Sequence, residues 1–199
     1  IGVLHEYITP IDTPNAIEIL FGNYHVESRH LGNRSKNPNK YLNDAHVLEK
    51  GFDEEVSDIW LKHRYAYYCG QSYKDCDKKV KSIEWYKKSL TIANNPQYHY
   101  CACINIGSIY FDLKQYSEAI DYWTKSYTYD RERLEGIAKI MEYYYNKGQH
   151  FMVSSLYNKF KHIKMGNSFD KIFLDTSKYH FFHYFASISG CYCDEKKSA

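Results

Sequence analysis

The chain has no run of about 18 apolar residues, the length a helix needs to cross a bilayer, so no transmembrane span is expected. It has no Cys-x-x-Cys pair among its six cysteines, which argues against a zinc ribbon. The Cys101/Cys103 and Cys191/Cys193 pairs lie in helical patterns, where neighbours two apart point about 200° apart. Reduced, structural cysteines in a cytoplasmic setting follow. Net charge is almost absent: 26 basic against 24 acidic residues leave +2, so no nucleic-acid footprint is expected. The densest basic group, Lys78-Lys79-Val80-Lys81, reads as the solvated start of a helix. No leader is visible. The chain opens at Ile1 on residues that already read as a strand, so an upstream part is expected. Proline is down to four residues, at 10, 14, 38 and 96, so the strong breakers crowd into the first forty positions.

What is present is aromatic and ordered. Hydrophobic residues make up 44% of the chain, with 22 tyrosines and 10 phenylalanines. That composition supports a packed core. The wealth of Tyr, Asn, Lys, Ile and Phe beside scarce Ala favours AT-rich codons, a hint of a protist or a large DNA virus.

Ile1 to Ile8 is apolar and β-branched and predicts a short strand. Ala16–Phe21 and Tyr24–Arg29 predict a hairpin across Gly22-Asn23. Asn37-Pro38 reads as a helix start, with Tyr41, Leu42, Ala45 and Leu48 at helical spacing and Lys50-Gly51 as the C-cap. The predicted division is therefore residues 1–36, irregular β, and 37–199, helical.

From Glu54 onward the chain predicts helices, broken at Asp75-Cys76-Asp77, Asn94-Asn95-Pro96, Leu113-Lys114-Gln115, Asp130-Arg131, Lys147-Gly148 and 164–167. Three stretches share one pattern. Gly70 is followed by Ser82, Tyr86 and Ser89; Gly107 by Ala119, Trp123 and Ser126; Met141 by Val153, Tyr157 and Phe160. The offsets are 12, 16 and 19 each time, and Tyr73, Tyr110 and Tyr144 sit three after each anchor. A small residue lets two antiparallel helices approach, and aromatics fill the groove towards the next pair. The spacings of 37 and 34 residues resemble the tetratricopeptide repeat, and helix pairs of that kind stack into a right-handed superhelix. Phe181 to Cys193 predicts one more helix. The aromatics, Trp60, Trp85 and Trp123 among them, are expected mostly in the repeat core, with some lining a concave groove where they stack on sugar rings or a peptide; the sequence does not separate the two.

Two segments carry a wider resemblance: Ile1-Gly2-Val3-Leu4-His5-Glu6-Tyr7, and Gly32-Asn33-Arg34-Ser35-Lys36-Asn37-Pro38-Asn39-Lys40-Tyr41-Leu42-Asn43-Asp44-Ala45 followed by Leu48-Glu49. With the repeats behind them they resemble the C-terminal half of family-2 glycosyltransferases that carry a tetratricopeptide array. The resemblance implies that residues 1–36 are the end of a GT-A-type α/β domain, and that the nucleotide-binding sheet lies upstream. It implies a parent that moves a sugar from a nucleotide-sugar to a glycan or protein acceptor, with Mn²⁺ or Mg²⁺ in the full-length parent and no cofactor for this chain alone. It implies His5 as a metal ligand, suited to Mn²⁺ as neutral imidazole, and Glu6 beside it as a catalytic group. Arg34, with His30 and Arg29, would hold the diphosphate leaving group.

Other candidates have simpler explanations. Asp75-Cys76-Asp77 has the Asp-x-Asp form but sits in an expected inter-helix turn, where Asp caps the next helix. His180 and His183 lie one turn apart with no further ligand at matching spacing. Asn33-Arg34-Ser35 fits a glycosylation sequon. Three readings of the whole stay open: the tail of a transferase, a non-catalytic repeat scaffold gripping a peptide or protein in its groove, and self-association through the open end of the array.

Overall fold

The computed structural model describes residues 3–4, 36–92, 95–164 and 171–195. Among these there are eight helices and no strand: α1 (Lys40–Glu54), α2 (Ile59–Asp75), α3 (Lys79–Thr91), α4 (Pro96–Asp112), α5 (Tyr116–Tyr129), α6 (Glu135–Asn146), α7 (His150–Phe160) and α8 (Ser177–Glu195). Of the expected strand only residues 3–4 are described, in a bend, and the expected hairpin falls outside the described residues. The chain divides into two compact units, Ile1–Trp85 and Tyr86–Ala199, with the division inside α3.

In the N-terminal unit α1 and α2 pack antiparallel. The Cys69 thiol faces the Ala45 carbonyl, Gly51 faces the Tyr65 ring, and Lys62 reaches back to the carbonyl of Glu55. Asp58 caps α2 by accepting from the Trp60 and Leu61 amides at 2.9 and 3.0 Å, and the Leu61–Tyr65–Cys69–Tyr73 stripe is buried. Two aromatic donors converge on Glu49 of α1: Tyr73 Oη at 2.7 Å and Trp85 Nε1 at 3.1 Å. Ser82 of α3 donates to the carbonyl of Gly70 at 2.8 Å, the close approach its offset predicts.

Two expectations for α1 are corrected. Gly51 is no C-cap. It lies inside the helix, buried, and a β-carbon there would meet Val3 Cγ2 at 2.7 Å and Tyr65 Cε2 at 3.3 Å. Its lack of a side chain serves packing, so the helix runs on to Glu54. The cap position at the other end is Asn39; Asn37 instead accepts from the Asn39 amide at 2.9 Å, one turn early.

In the C-terminal unit α4 and α5 are antiparallel. Phe111 stands by Tyr116, Tyr110 stacks on Tyr122, and Trp123 Nε1 donates to the Ile104 carbonyl at 3.3 Å. The anchor Gly107 faces the Trp123 ring, where an added β-carbon would lie 2.5 Å from Cδ1. Helix α6 comes equally close to α5: a β-carbon on Gly136 would meet the Trp123 carbonyl oxygen at 2.6 Å. Met141, Val153 and Phe160 are buried in the same core as Phe182 and Phe185 of α8. The anchor and two of the offset positions of the third stretch are thus core residues.

The turns inside the three pairs repeat one device. Asp77, Lys114 and Gly148 have φ of 57°, 62° and 68°, and they stand 37 and 34 residues apart. In each, the following amide bonds back to the carbonyl of the tyrosine five before it: Lys78 to Tyr73 at 2.8 Å, Gln115 to Tyr110 and Gln149 to Tyr144 at 2.9 Å. These are Schellman caps. The Asp75-Cys76-Asp77 turn lies where expected, but its physical role is corrected: Asp77 takes the left-handed position rather than an N-cap.

A left-handed conformation costs a non-glycine residue on the order of 1 kcal/mol. Lys114→Gly should raise stability by about 0.5–1 kcal/mol, and Gly148→Ala should lower it by a similar amount. Urea denaturation followed by circular dichroism reads both, and equal effects at the two sites would contradict the assignment.

Candidate functional site

Two polar features stand inside the C-terminal unit. The first is buried at the turn from α5 to α6. Arg133 is 2% exposed and Glu135 3%. The Arg133 guanidinium pairs with the Glu135 carboxylate, donates to Gln97 Oε1 at 2.8 Å and to the Ile172 carbonyl at 2.9 Å, and lies 4.1 Å from the centre of the Tyr100 ring. Tyr100 Oη donates to Glu135 Oε2 at 2.9 Å and accepts from the Gly136 amide. Burial works against the charge on Arg133, and Glu135 more than offsets it, so the guanidinium stays charged. Burial, then the Glu135 charge, push the Tyr100 phenol well above its usual value.

Beside this pair, Asp130 accepts from Gln97 at 2.7 Å and from Lys171 at 2.8 Å. The cluster ties α4, the α5–α6 turn and the segment 171–175 together. That segment leads directly into α8.

The second feature is a hollow of about 250 Å³ walled by α4, α6 and α8. Ser108 and Asp112 come from α4, Lys139, Glu142 and Asn146 from α6, and Lys178 from α8; Trp123 lies at the base. Lys178 pairs with Glu142 at 3.5 Å. Lys139 has no carboxylate within ion-pairing distance among the described residues; its ammonium sits 5.6 Å from the centre of the Trp123 ring. Burial, then the nearby Lys178 charge, lower its amine below the usual lysine value. A half-buried cation in a polar groove, with an aromatic floor and hydrogen-bonding groups around it, is built to receive an anionic group.

The residues singled out from the sequence are not here. His5, Glu6, Arg29, His30 and Arg34 lie outside the described residues, as does the sequon at Asn33. His180 and His183 are both exposed on α8, and among the described residues no group of three metal-ligating side chains forms. Of the aromatics, Trp60 is 52% exposed on the first turn of α2, whereas Trp85 and Trp123 are buried. Arg133, Glu135, Lys139 and Lys178 carry no motif. The nearest signal is the charged run Asp130 to Glu135 set directly ahead of an apolar helix.

Comparison with protein families places this geometry. Residues 102–133, most of α4 and all of α5, match the tetratricopeptide repeat. Comparisons with curated proteins and with solved structures give no match. The chain thus carries a tetratricopeptide repeat within a mainly helical fold. No described helix is long and apolar enough to cross a membrane.

Removing one partner of a buried pair leaves an uncompensated charge. Arg133→Met should cost about 3–5 kcal/mol, and Arg133→Met with Glu135→Leu should recover part of it, as a double-mutant cycle in urea would show. A pH effect follows from Asp130. Burial alone would raise its carboxyl, but the bonds from Lys171 and Gln97 outweigh burial and hold it below the usual range. A carboxyl lowered in the folded state adds stability above its unfolded value, about pH 4, and loses it as pH falls through the folded one. Asp130→Asn should therefore flatten the acid limb of the stability curve below about pH 4.

Proposed function

We propose that this protein is a non-catalytic repeat scaffold that binds an extended segment of a partner protein in the groove walled by α4, α6 and α8. The observation that carries this reading is Lys139, a partly buried cation facing a hollow and lacking a carboxylate partner among the described residues. The match of residues 102–133 to the tetratricopeptide repeat supports it, because repeats of this kind present grooves for other chains. An acidic side chain of the partner meets Lys139. Phe111 gives its apolar neighbours a surface to lie on, and Ser108 and Asn146 are placed to bond its backbone.

No finding on the described residues supports sugar transfer, so the proposal is confined to the repeats.

A peptide array probed with the whole chain tests this. Acid-containing peptides should be retained, and Lys139→Glu should weaken the same spots at least about tenfold, since removing one side of a desolvated charge pair costs 2–5 kcal/mol or more. An unchanged binding profile for Lys139→Glu would remove the groove as the binding site.

A further inference from the structure

A second surface in the N-terminal unit has a different character. A hollow of about 500 Å³ opens between α1 and the α2–α3 turn. Leu42 and Val80 make its accessible apolar part, with Tyr73 fully buried; Lys78, Lys79 and Lys81 ring it together with the single carboxylate of Asp77. The volume falls in the range of hollows that hold ligands or inserted side chains.

The local chemistry here runs against stability. The N-terminus of a helix carries partial positive charge and favours acidic residues. The first turn of α3 has none, and lysines stand at 78, 79 and 81. Lys78 and Lys81 are three apart, a like-charge pairing. Lys78 makes no side-chain hydrogen bond or ion pair among the described residues, and Lys79 has Asp77 only at 3.8 Å. Lys81 rests on Tyr73, donating to its hydroxyl at 3.2 Å. Between them Val80 is 69% exposed. Asp58 on α2 and Asn95 on α4 each accept from two amides, whereas α1, α5, α6 and α7 start without a side-chain cap. Lys78 thus stands as an exposed charge, with no side-chain partner among the described residues, at the edge of an apolar opening that holds the exposed Val80.

We propose that this hollow docks an acidic segment of a partner protein, which sets one large apolar side chain against Leu42 and Val80 and flanking carboxylates on Lys78 and Lys81. The cationic rim chooses the sign of the partner, and the single apolar opening chooses an anchored segment over the flat surface of a membrane. None of these residues lines the α4–α6–α8 groove, so the two sites stand or fall separately.

The probe is a short fluorescent peptide of glutamates around one central leucine, titrated by anisotropy against the whole chain at low and moderate salt. Binding should weaken at least about tenfold when the leucine becomes alanine, the effect of losing one buried aliphatic side chain. Lys78→Gln and Val80→Ser, both at exposed positions, should each weaken it while Tm stays unchanged or rises. Lys139→Glu should leave it untouched. No binding, binding indifferent to the leucine, or binding unaffected by Lys78→Gln and Val80→Ser would overturn the proposal. So would sedimentation of the protein with phosphatidylserine vesicles in a Lys78-dependent manner without peptide binding, which would assign the patch to a membrane.

Discussion

Three helix pairs, α2–α3, α4–α5 and α6–α7, reverse direction within a few residues, and each reversal rests on one left-handed residue. At Asp77, Lys114 and Gly148 the backbone turns over, and the next amide closes onto a tyrosine carbonyl five residues back. That bond satisfies a carbonyl the helix end would leave open. It also sets where the next helix starts. The small or apolar residues twelve positions after each anchor, Ser82, Ala119 and Val153, therefore fall opposite the anchors themselves and are buried. Without the turn the offsets would have no spatial meaning.

The C-terminal unit adds a constraint of its own. Arg133 and Glu135 are charges that cannot reach water, so each needs its full set of partners. Those come from α4 through Gln97 and Tyr100 and from the carbonyls of Ile172 and Phe173. An arginine fork that accepts only one placement of these groups fixes how the segment before α8 runs. Lys178, one wall of the groove, begins that helix. Stabilising the core and shaping the groove are thus linked through a short stretch of chain.

The repeats were legible because their signal is local. A small residue at Gly107 and an aromatic at Trp123 are read within one helix pair, and the structure brings them into contact. The same habit of reading misjudged Gly51, since a glycine that ends a helix and one that admits a neighbouring ring look alike in sequence. The left-handed positions at Asp77 and Lys114 were hidden for the opposite reason, being non-glycine residues in that conformation. The Arg133 cluster could not be read at all. Apart from Glu135, two positions on, its partners among Tyr100, Gln97, Ile172 and Phe173 lie 33 to 40 positions away, and nothing in a run of charges tells which of them is buried. Lys139 was hidden similarly: it stands in the apolar stripe of α6 between Ile137 and Ile140, and only the neighbouring helices turn it into the cation of a groove.

The three tryptophans fall in three different surroundings. Trp60 is half in water; Trp85 is buried in the N-terminal unit and bonded to Glu49; Trp123 is buried in the C-terminal unit beside Phe111. Indole emission shifts to the red as water reaches the ring. Each unit thus carries its own optical reporter, and the intrinsic fluorescence of the unlabelled chain separates the opening of one from the opening of the other.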